Sequence, residues 1–489
     1  MTEKREREPG LIQSIIPIVV LIVLLALNVV LFGDESLEGP NQIVLLLAAG
    51  IAALIARKLG LNWKTTRAGM VKSIGSAMPS ILILLLIGSL AGTWLLSGVV
   101  PALIYYGLKI INPTIFLFAA VIVSALVSVA TGSSWSTIAT LGVALLGVGK
   151  ALGFHEGVVA GAIISGAYFG DKMSPLSDTT NLAPAMAGTD IFTHIKYMAL
   201  TTGPTFIITM IIFLIWGFVY DFNETNTDIA NVLSSIESTF TITPWLFLVP
   251  VLLIAIIMKK VPPLPALMAG TLLGVIFALI FQPDIVQQVA GDPANRLVGA
   301  YMGSLKAMAG TISIVTSEPA INDLLSTKGM AGMLNTIWLI LSAMVFGGAM
   351  ERSGMLKRIS KAIISKAKST AGLITATSGT CLFFNVTASD QYMAIVVPGR
   401  MFANVYKDRG VKPEVLSRTL EDTATVTSVL IPWNTCGATQ AGVLGVSTFA
   451  YLPYAFFNII SPFMTLLYAW LNINIRKYKP DEKQEEIAE

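Results

Sequence analysis

Residues 170–181 read Gly170-Asp171-Lys172-Met173-Ser174-Pro175-Leu176-Ser177-Asp178-Thr179-Thr180-Asn181 and interrupt a long apolar segment. Apolar and glycine-rich sequence continues on both sides of this polar cluster. Proline removes a backbone donor and breaks a helix, which leaves carbonyl groups free. Irregular backbone at membrane depth survives only inside protein or beside water. The stretch therefore predicts a broken membrane helix with a polar centre.

The composition supports a membrane location. Of 489 residues, 54% are hydrophobic and 12% charged, whereas soluble domains are about 25% charged. The mean hydropathy is +0.74. A net charge of +3 is too small to indicate a nucleic-acid partner, and two cysteines, Cys381 and Cys436, give neither a disulfide framework nor a metal spacing. The prediction is an all-α polytopic membrane protein, not a cytosolic enzyme.

Apolar runs locate the membrane spans. A helix needs about 20 apolar residues to cross the hydrocarbon. The first run is longer than the apolar part of a signal peptide and lacks a small-residue cleavage site, so it is interpreted as a span. Regions 114–187 and 371–446 are apolar but broken by polar residues and prolines. The uninterrupted candidates are 11–32, 42–56, 79–97, 198–219, 242–258, 264–282, 333–350 and 452–472.

Basic residues set the orientation. With both termini cytoplasmic, 26 of the 32 Lys and Arg residues fall in segments assigned to the inside. Region 114–187 must then cross an odd number of times, which a re-entrant hairpin at 114–148 and a broken helix at 157–187 achieve. Segments on both sides of 371–399 are basic, so this stretch must form a second hairpin that enters from the cytoplasm.

The same order of elements thus occurs twice with opposite orientation. The predicted organisation is a cytoplasmic N-terminus and first span, an inverted repeat, a linking loop and span, a second inverted repeat with its broken helix at 414–446, and a charged cytoplasmic tail. Inverted repeats with discontinuous helices are typical of secondary transporters, which bind substrate near the bilayer midplane. The five segments are 1–41, 42–219, 220–263, 264–472 and 473–489.

The first repeat offers a candidate site for a cation and a proton. Carboxylates at membrane depth are costly unless they are paired or hydrated. Carboxylate, amide and hydroxyl oxygens also suit Na⁺. The alternative is a cytoplasmic helix end at which Asp171 and Lys172 reach water. The candidate ligands are Asp171, Asp178 and Asn181 on the broken helix, and Thr131, Ser133 and Ser134 at the hairpin tip.

The second repeat offers matching groups. Arg418 is counted in a cytoplasmic segment, so Glu421 is interpreted as a surface residue paired with Arg418 or Lys412. Threonines in membrane helices often donate only to their own backbone. Each threonine hydroxyl is therefore either a cation ligand or a donor within its own helix. The candidate ligands are Asp422, Thr423 and Asn434 on the broken helix, and Asn385, Thr387, Ser389 and Asp390 at the hairpin tip.

A buried carboxylate that either a proton or Na⁺ can occupy would produce antiport if only loaded states cross. The sequence does not select which of the four aspartates titrates. No nucleotide-binding loop occurs, and no cofactor is expected. His155 and His194 lie near span ends and are interpreted as surface residues. An intramembrane hydrolase is disfavoured because Phe169-Gly170-Asp171 is not preceded by the first glycine of the protease motif.

Two segments resemble the NhaC-type sodium/proton antiporters of the ion-transporter superfamily: Ala130-Thr131-Gly132-Ser133-Ser134-Trp135-Ser136-Thr137 and Gly170-Asp171-Lys172-Met173-Ser174-Pro175-Leu176-Ser177-Asp178-Thr179-Thr180. The resemblance implies Na⁺(Li⁺)/H⁺ exchange across a bacterial plasma membrane. By superfamily analogy it also implies an elevator-like mechanism and a homodimer. The same family includes exchangers of malate for lactate, so an organic-acid exchanger coupled to Na⁺ and H⁺ is the alternative. The lack of an intramembrane arginine favours bare cations.

Overall fold

The chain is a bundle of apolar helices. The computed structural model describes residues 7–110, 112–220, 229–291, 293–316, 322 and 325–478. Within these ranges, two bent pairs of helices reach spanning length only together, and seven single helices are long and apolar enough to cross a membrane. The predicted all-α multi-pass membrane protein is thereby confirmed. The seven are Leu11–Phe32, Pro40–Lys58, Trp63–Leu96, Pro113–Thr131, Ile191–Val219, Pro263–Phe281 and Met330–Arg352.

The helices of the first half follow the predicted order. This half also contains a π-helical turn, Ile138–Gly142, and a 3₁₀ turn, Gly33–Glu38. The α-helices are α1 (Leu11–Phe32), α2 (Pro40–Lys58), α3 (Trp63–Leu96), α4 (Val99–Ile110), α5 (Pro113–Thr131), α6 (Ser134–Thr137), α7 (Val143–Ala151), α8 (Glu156–Met173), α9 (Asp178–Ala187), α10 (Ile191–Val219) and α11 (Ile229–Thr239).

The second half contains a second π-helical turn, Glu421–Thr425. It also contains 3₁₀ turns at Pro244–Phe247, Met330–Met333 and Leu452–Tyr454. Strands β1 (Ile312–Ser313) and β2 (Ser326–Thr327) pair antiparallel. The α-helices are α12 (Leu248–Met258), α13 (Pro263–Phe281), α14 (Pro283–Ala290), α15 (Arg296–Ala309), α16 (Leu334–Arg352), α17 (Met355–Lys366), α18 (Thr370–Thr387), α19 (Gln391–Asp408), α20 (Pro413–Leu420), α21 (Val426–Ser428), α22 (Thr435–Leu444), α23 (Thr448–Tyr451) and α24 (Phe456–Trp470).

Helix α3 departs most from its predicted bounds. The apolar window predicts residues 79–97, but the helix begins at Trp63 and continues through Pro79. The side chain of Asn62 accepts a hydrogen bond of 2.8 Å from the backbone nitrogen of Thr65 and caps the first turn. Hydropathy detects only the part of a helix that lies in lipid, so the polar first turns were missed.

Helices α5 and α8 run parallel and pack closely. A Cβ atom at Gly166 would lie 2.2 Å from the carbonyl oxygen of Val121, and one at Gly170 would lie 2.3 Å from that of Ala125. The matching order of the two pairs of contacts gives both helices the same direction. Only glycine allows the backbones this approach. The C-terminal end of α8 is thereby placed against the turn that follows α5.

Two antiparallel pairs of helices occupy the regions predicted as hairpins. α5 is followed by the turn at Gly132, and the chain returns through α6 and α7. α18 turns at Ser389, which has a φ of 59°, and returns as α19, which continues to Asp408, nine residues beyond the predicted end at residue 399. The hydroxyl groups of Thr377 and Tyr406 lie 3.1 Å apart across this second pair. The orientation of both pairs in a membrane, and an inverted relation between the two halves, remain predictions.

Candidate functional site

Asp171 lies in the last turn of α8, against the hairpin tip. One of its oxygens, Oδ2, accepts hydrogen bonds from the backbone nitrogen (3.0 Å) and the hydroxyl group (2.6 Å) of Ser134. Ser134 is the first residue of α6, so the carboxylate faces the N-terminal end of a helix, where negative charge is favoured. The structure thus brings together Asp171 and Ser134, which the sequence placed in one site.

A cavity of about 740 Å³ reaches this carboxylate. Asp171 is only 7% exposed, whereas Asp178, on the first turn of α9, is exposed. Both line the cavity, so two carboxylates face the same space. Its wall also includes the predicted ligands Thr131, Ser133 and Asn181.

The break between α8 and α9 is held by its own polar side chains. The Asn181 amide nitrogen donates to the carbonyl oxygens of Pro175 (2.9 Å) and Ser177 (2.7 Å). The Thr180 hydroxyl donates to the backbone carbonyl oxygen of Lys172 at 3.0 Å. Several carbonyl groups that the proline was expected to free therefore have partners.

Asp422 has a different environment from Asp171. Its Oδ1 atom contacts the ammonium group of Lys172, and both side chains are fully buried. Its Oδ2 atom accepts a hydrogen bond of 2.8 Å from Thr201 and another from Thr465. The lining of the cavity includes Asp171 but not Asp422. Asp422 thus serves as the counter-charge of Lys172 in this structure.

The second hairpin tip is tied to the second broken helix. The Asn385 amide nitrogen donates to the carbonyl oxygen of Ala424 (2.7 Å) and to the Thr427 hydroxyl (2.9 Å). Asn434 donates in turn to the backbone oxygen of Asn385 at 3.0 Å. These two amides, predicted as cation ligands, hold the chain at a break. The prediction that they bind a cation remains untested.

Asp390 and Ser389 lie at the turn itself. Asp390 caps α19 by accepting a bond of 2.9 Å from the backbone nitrogen of Met393. The backbone oxygen of Ser389 accepts a bond of 2.9 Å from Thr435. Residues next to them in sequence, Gln391 and Tyr392, line the cavity. Both hairpin tips therefore approach the same space.

Two predicted threonine ligands are used within the protein. Thr387 donates to the carbonyl oxygen of Phe383, one turn earlier, at 2.7 Å. Thr423 donates to the hydroxyl of Ser378 at 3.2 Å. Thr387 therefore follows the alternative in which a membrane threonine bonds its own helix.

Three surface interpretations are wrong. Glu421, Arg418 and His194 are all fully buried. A cytoplasmic position was inferred for Arg418 from the charge count, but its helix, α20, packs inside the bundle. Glu421 follows on the π-helical turn, and His194 lies 2.8 Å from the hydroxyl of Ser417. The buried Arg418 contradicts the expectation that the bundle holds no arginine, so this expectation no longer favours bare cations.

Sequence reasoning also missed that Asp422 lies near both Lys172 and Arg418, and only the contact with Arg418 had a local signal. The four-residue spacing from Arg418 to Asp422 was an available signal, since it places both on one face of a helix, and their side chains are 4.0 Å apart. π-helical turns often occur at functional sites, but no sequence pattern marked this one. Among the described residues, no three His, Cys, Asp or Glu side chains are grouped as a metal site would require.

A second cavity, of about 680 Å³, lies beside α22 and beside the end of the 3₁₀ turn that precedes α2. It is lined by Glu38, Pro432 and Thr448, among others. Ile87, on α3, lines both cavities. The two spaces therefore approach each other from different sides of one side chain.

Comparisons with known proteins agree on one family. A model described as the Na⁺/H⁺ antiporter family matches residues 166–473. The Na(+)/H(+) antiporter NhaC of Alkalihalophilus pseudofirmus is 37% identical over 441 residues, which are 90% of this chain and 92% of the relative. The malate-2H(+)/Na(+)-lactate antiporter of Bacillus subtilis is 37% identical over 454 residues, or 93% of each chain. The arginine/ornithine antiporter ArcD of Halobacterium salinarum is 32% identical over 488 residues, covering 99% and 96%.

Proposed function

This chain belongs to the Na⁺/H⁺ antiporter family, and from this premise we propose that it is a secondary antiporter that exports Na⁺ or Li⁺ in exchange for H⁺. The observation that carries the proposal is the buried carboxylate of Asp171, which faces a cavity together with Asp178. Two carboxylates and neighbouring hydroxyl groups form the oxygen-rich surface that a bare Na⁺ ion requires.

Exchange follows if Asp171 binds one ion at a time. Ser134 donates two hydrogen bonds to one oxygen of this carboxylate, and either a proton or a sodium ion can neutralise its charge. The two ions then compete for the same group. If the empty charged site does not cross the membrane, each outward Na⁺ must be replaced by inward protons. Asp178 would add a second negative charge to attract the cation.

An organic-acid exchanger is the alternative. A relative that covers nearly the whole chain is a malate-2H(+)/Na(+)-lactate antiporter, and a cavity of about 740 Å³ exceeds what one cation needs. In this case the carboxylates would be coupling sites, and the organic acid would occupy the remaining space. The cavity also holds Gln391 and Tyr392, whose polar groups suit an organic ligand.

The test uses purified protein in liposomes that contain a trapped pH dye and carry an imposed proton gradient. Na⁺, Li⁺ or K⁺ is added alone, and Na⁺ is then added with malate or lactate. Collapse of the gradient on Na⁺ or Li⁺ alone is expected. Collapse that requires an organic acid would replace the cation antiporter with the alternative.

Several finer features belong to the same proposal. We place the protein in a bacterial plasma membrane with both termini in the cytoplasm, because basic residues are concentrated in the segments assigned to that side. The two halves are proposed as inverted repeats that move against a scaffold in a homodimer, surrounded by lipid. Ile87 lines both cavities. The proposed movement would open one of these cavities and close the other near this side chain.

A further inference from the structure

The chain after α24 folds back onto the protein. We name residues 471–478 the C-terminal strap. Asn472 and Asn474 have φ values of 53° and 51°, a left-handed conformation that asparagine tolerates better than most residues. The backbone nitrogen of Lys412 donates to the carbonyl oxygen of Arg476 at 3.1 Å, and that of Tyr478 donates to Gly410 at 2.9 Å. The strap is therefore bonded to the turn before α20.

The strap also contacts α20 through a side chain. Arg476 Nη1 lies 3.3 Å from Glu414 Oε1 in the first turn of α20. The Glu414 side chain is 6% exposed and that of Arg476 is 46% exposed. A nearly buried carboxylate thus depends on a cation that the strap supplies. This ion pair fixes one end of α20.

Tyr197 joins the strap to the other end of α20. Its hydroxyl group donates to the carbonyl oxygen of Asn474 at 2.8 Å. The guanidinium carbons of Arg418 and Arg476 lie 4.5 Å and 4.9 Å from the centre of its ring. Arginine over an aromatic ring is attracted by the negative face of the ring. Tyr197 therefore contacts the strap and two cations at once.

Arg418 is a buried cation near one carboxylate. It is fully buried, and none of its guanidinium nitrogens has a hydrogen-bond acceptor among the described residues. Its Nε atom lies 4.0 Å from Asp422 Oδ2. Its guanidinium group thus contacts the Tyr197 ring and lies near the Asp422 carboxylate. Asp422 in turn contacts Lys172, the residue after Asp171.

We propose that Tyr197 is a positioning residue for exchange: together with the C-terminal strap, it holds Arg418 against Asp422 and thereby sets the apparent affinity of the Asp171 site for Na⁺. This inference rests on the proposed Na⁺/H⁺ exchange. A released strap would leave Glu414 without Arg476 and would let α20 shift. The contact of Asp422 with Lys172, and the position of Asp171 beside it, would then be less well ordered.

The experiment measures Na⁺-driven proton movement in liposomes as a function of Na⁺ concentration, using the full chain. Tyr197→Leu removes the ring, and Arg476→Gln removes the strap cation. Each should raise KM for Na⁺ by roughly three- to fivefold, which is the scale of one cation–π contact or a partly exposed ion pair, while Vmax stays within about twofold. Arg476→Lys keeps a cation that can pair with Glu414 and lie over the Tyr197 ring, so its KM should rise less than that of Arg476→Gln.

The matched control is Lys477→Gln. Lys477 is exposed, and its substitution removes one positive charge from the same strap, so its KM should equal that of the wild type. Tyr197→Phe keeps the ring, loses only the bond to Asn474, and serves if Tyr197→Leu does not fold. Tyr197→Phe should raise KM less than Tyr197→Leu. A KM for Arg476→Gln equal to that of Lys477→Gln would overturn the proposal, and so would a wild-type KM for Tyr197→Leu. Lower yields with unchanged KM would do the same, because they would make the strap structural only.

A second readout does not depend on transport. Coupling between two sites is reciprocal, so Na⁺ should stabilise the docked strap by the factor by which the strap improves Na⁺ binding. Trypsin should cut after Lys477 about threefold more slowly in Na⁺ than in choline. Equal rates would contradict the proposal. Absence of Na⁺-driven exchange in the wild type would instead refute the proposed function, so the two failures are distinguishable.

Discussion

Lys172 and Asp422 form a fully buried ion pair between residues that are 250 positions apart in the sequence. Lys172 lies in the last turn of α8, and Asp422 lies on the π-helical turn after α20. Removing one partner of a buried pair leaves an uncompensated charge, whereas removing both does not. The pair therefore fastens the two broken helices to each other, and it occupies one of the carboxylates that the sequence offered to Na⁺.

Neutralising one member of this pair should destabilise the protein. Lys172→Met or Asp422→Asn alone should cost about 3–5 kcal/mol, because each leaves a buried charge unpaired. The combined variant should recover only part of the loss in Tm, because the buried Arg418 still loses its nearby carboxylate, and it should retain Na⁺-driven exchange in liposomes with a raised KM for Na⁺. If the combined variant folds but does not exchange ions, Asp422 acts on the cation directly, as the sequence alone predicts.

Asp171→Asn should abolish Na⁺-driven proton movement, because the amide has the shape of the carboxylate but cannot carry a proton or a charge. The Ser134 donors would remain opposite it. Dye-loaded liposomes give the measurement. Asp190→Asn is the matched control: Asp190 caps α10 from an exposed position, and asparagine caps a helix equally well. Wild-type exchange by Asp171→Asn would eliminate this carboxylate as the carrier.

Asp178→Asn should strongly weaken exchange while the protein still inserts and folds. Asp178 is exposed to the cavity, so its neutralisation leaves no buried partner unpaired. The loss should be largest at low Na⁺ concentration, since a second carboxylate mainly attracts the cation. Initial rates over a range of Na⁺ concentrations measure this. Unchanged rates at every concentration would assign Asp178 to the water-exposed end of a helix.

Much of the fold follows from one-dimensional patterns. Apolar length located α1 at its exact bounds, and the polar breaks marked where α8 and the chain after α20 are interrupted. Those features are local, since a helix in lipid must be apolar along its own length. The start of α3 was missed because its first turns are polar. Helix capping by Asn62 was the available signal.

The site was predicted only in part, because pairing between distant residues leaves no local pattern. Asp171 and Asp178 carry a recognisable motif and do face one cavity. The partner of Lys172 lies 250 residues away, so no spacing could have identified it. Glu421 and Arg418 were wrongly placed at the surface because a segment rich in charged residues was assumed to be exposed to water. In a large bundle, charges can also be buried when they lie near one another, as Arg418 and Asp422 do.

The close packing of α5 on α8 gives a test of the geometry that places Asp171. Gly170→Ala would put a Cβ atom 2.3 Å from the carbonyl oxygen of Ala125, and the helices would have to separate, at a cost of about 1–3 kcal/mol. Because Asp171 is the next residue, exchange should fall as well. Gly203→Ala on α10 is the control, since nothing lies within 4 Å of its Cβ position, and alanine should there be neutral or stabilising. Equal Tm values for the two purified variants would contradict the parallel contact of α5 and α8.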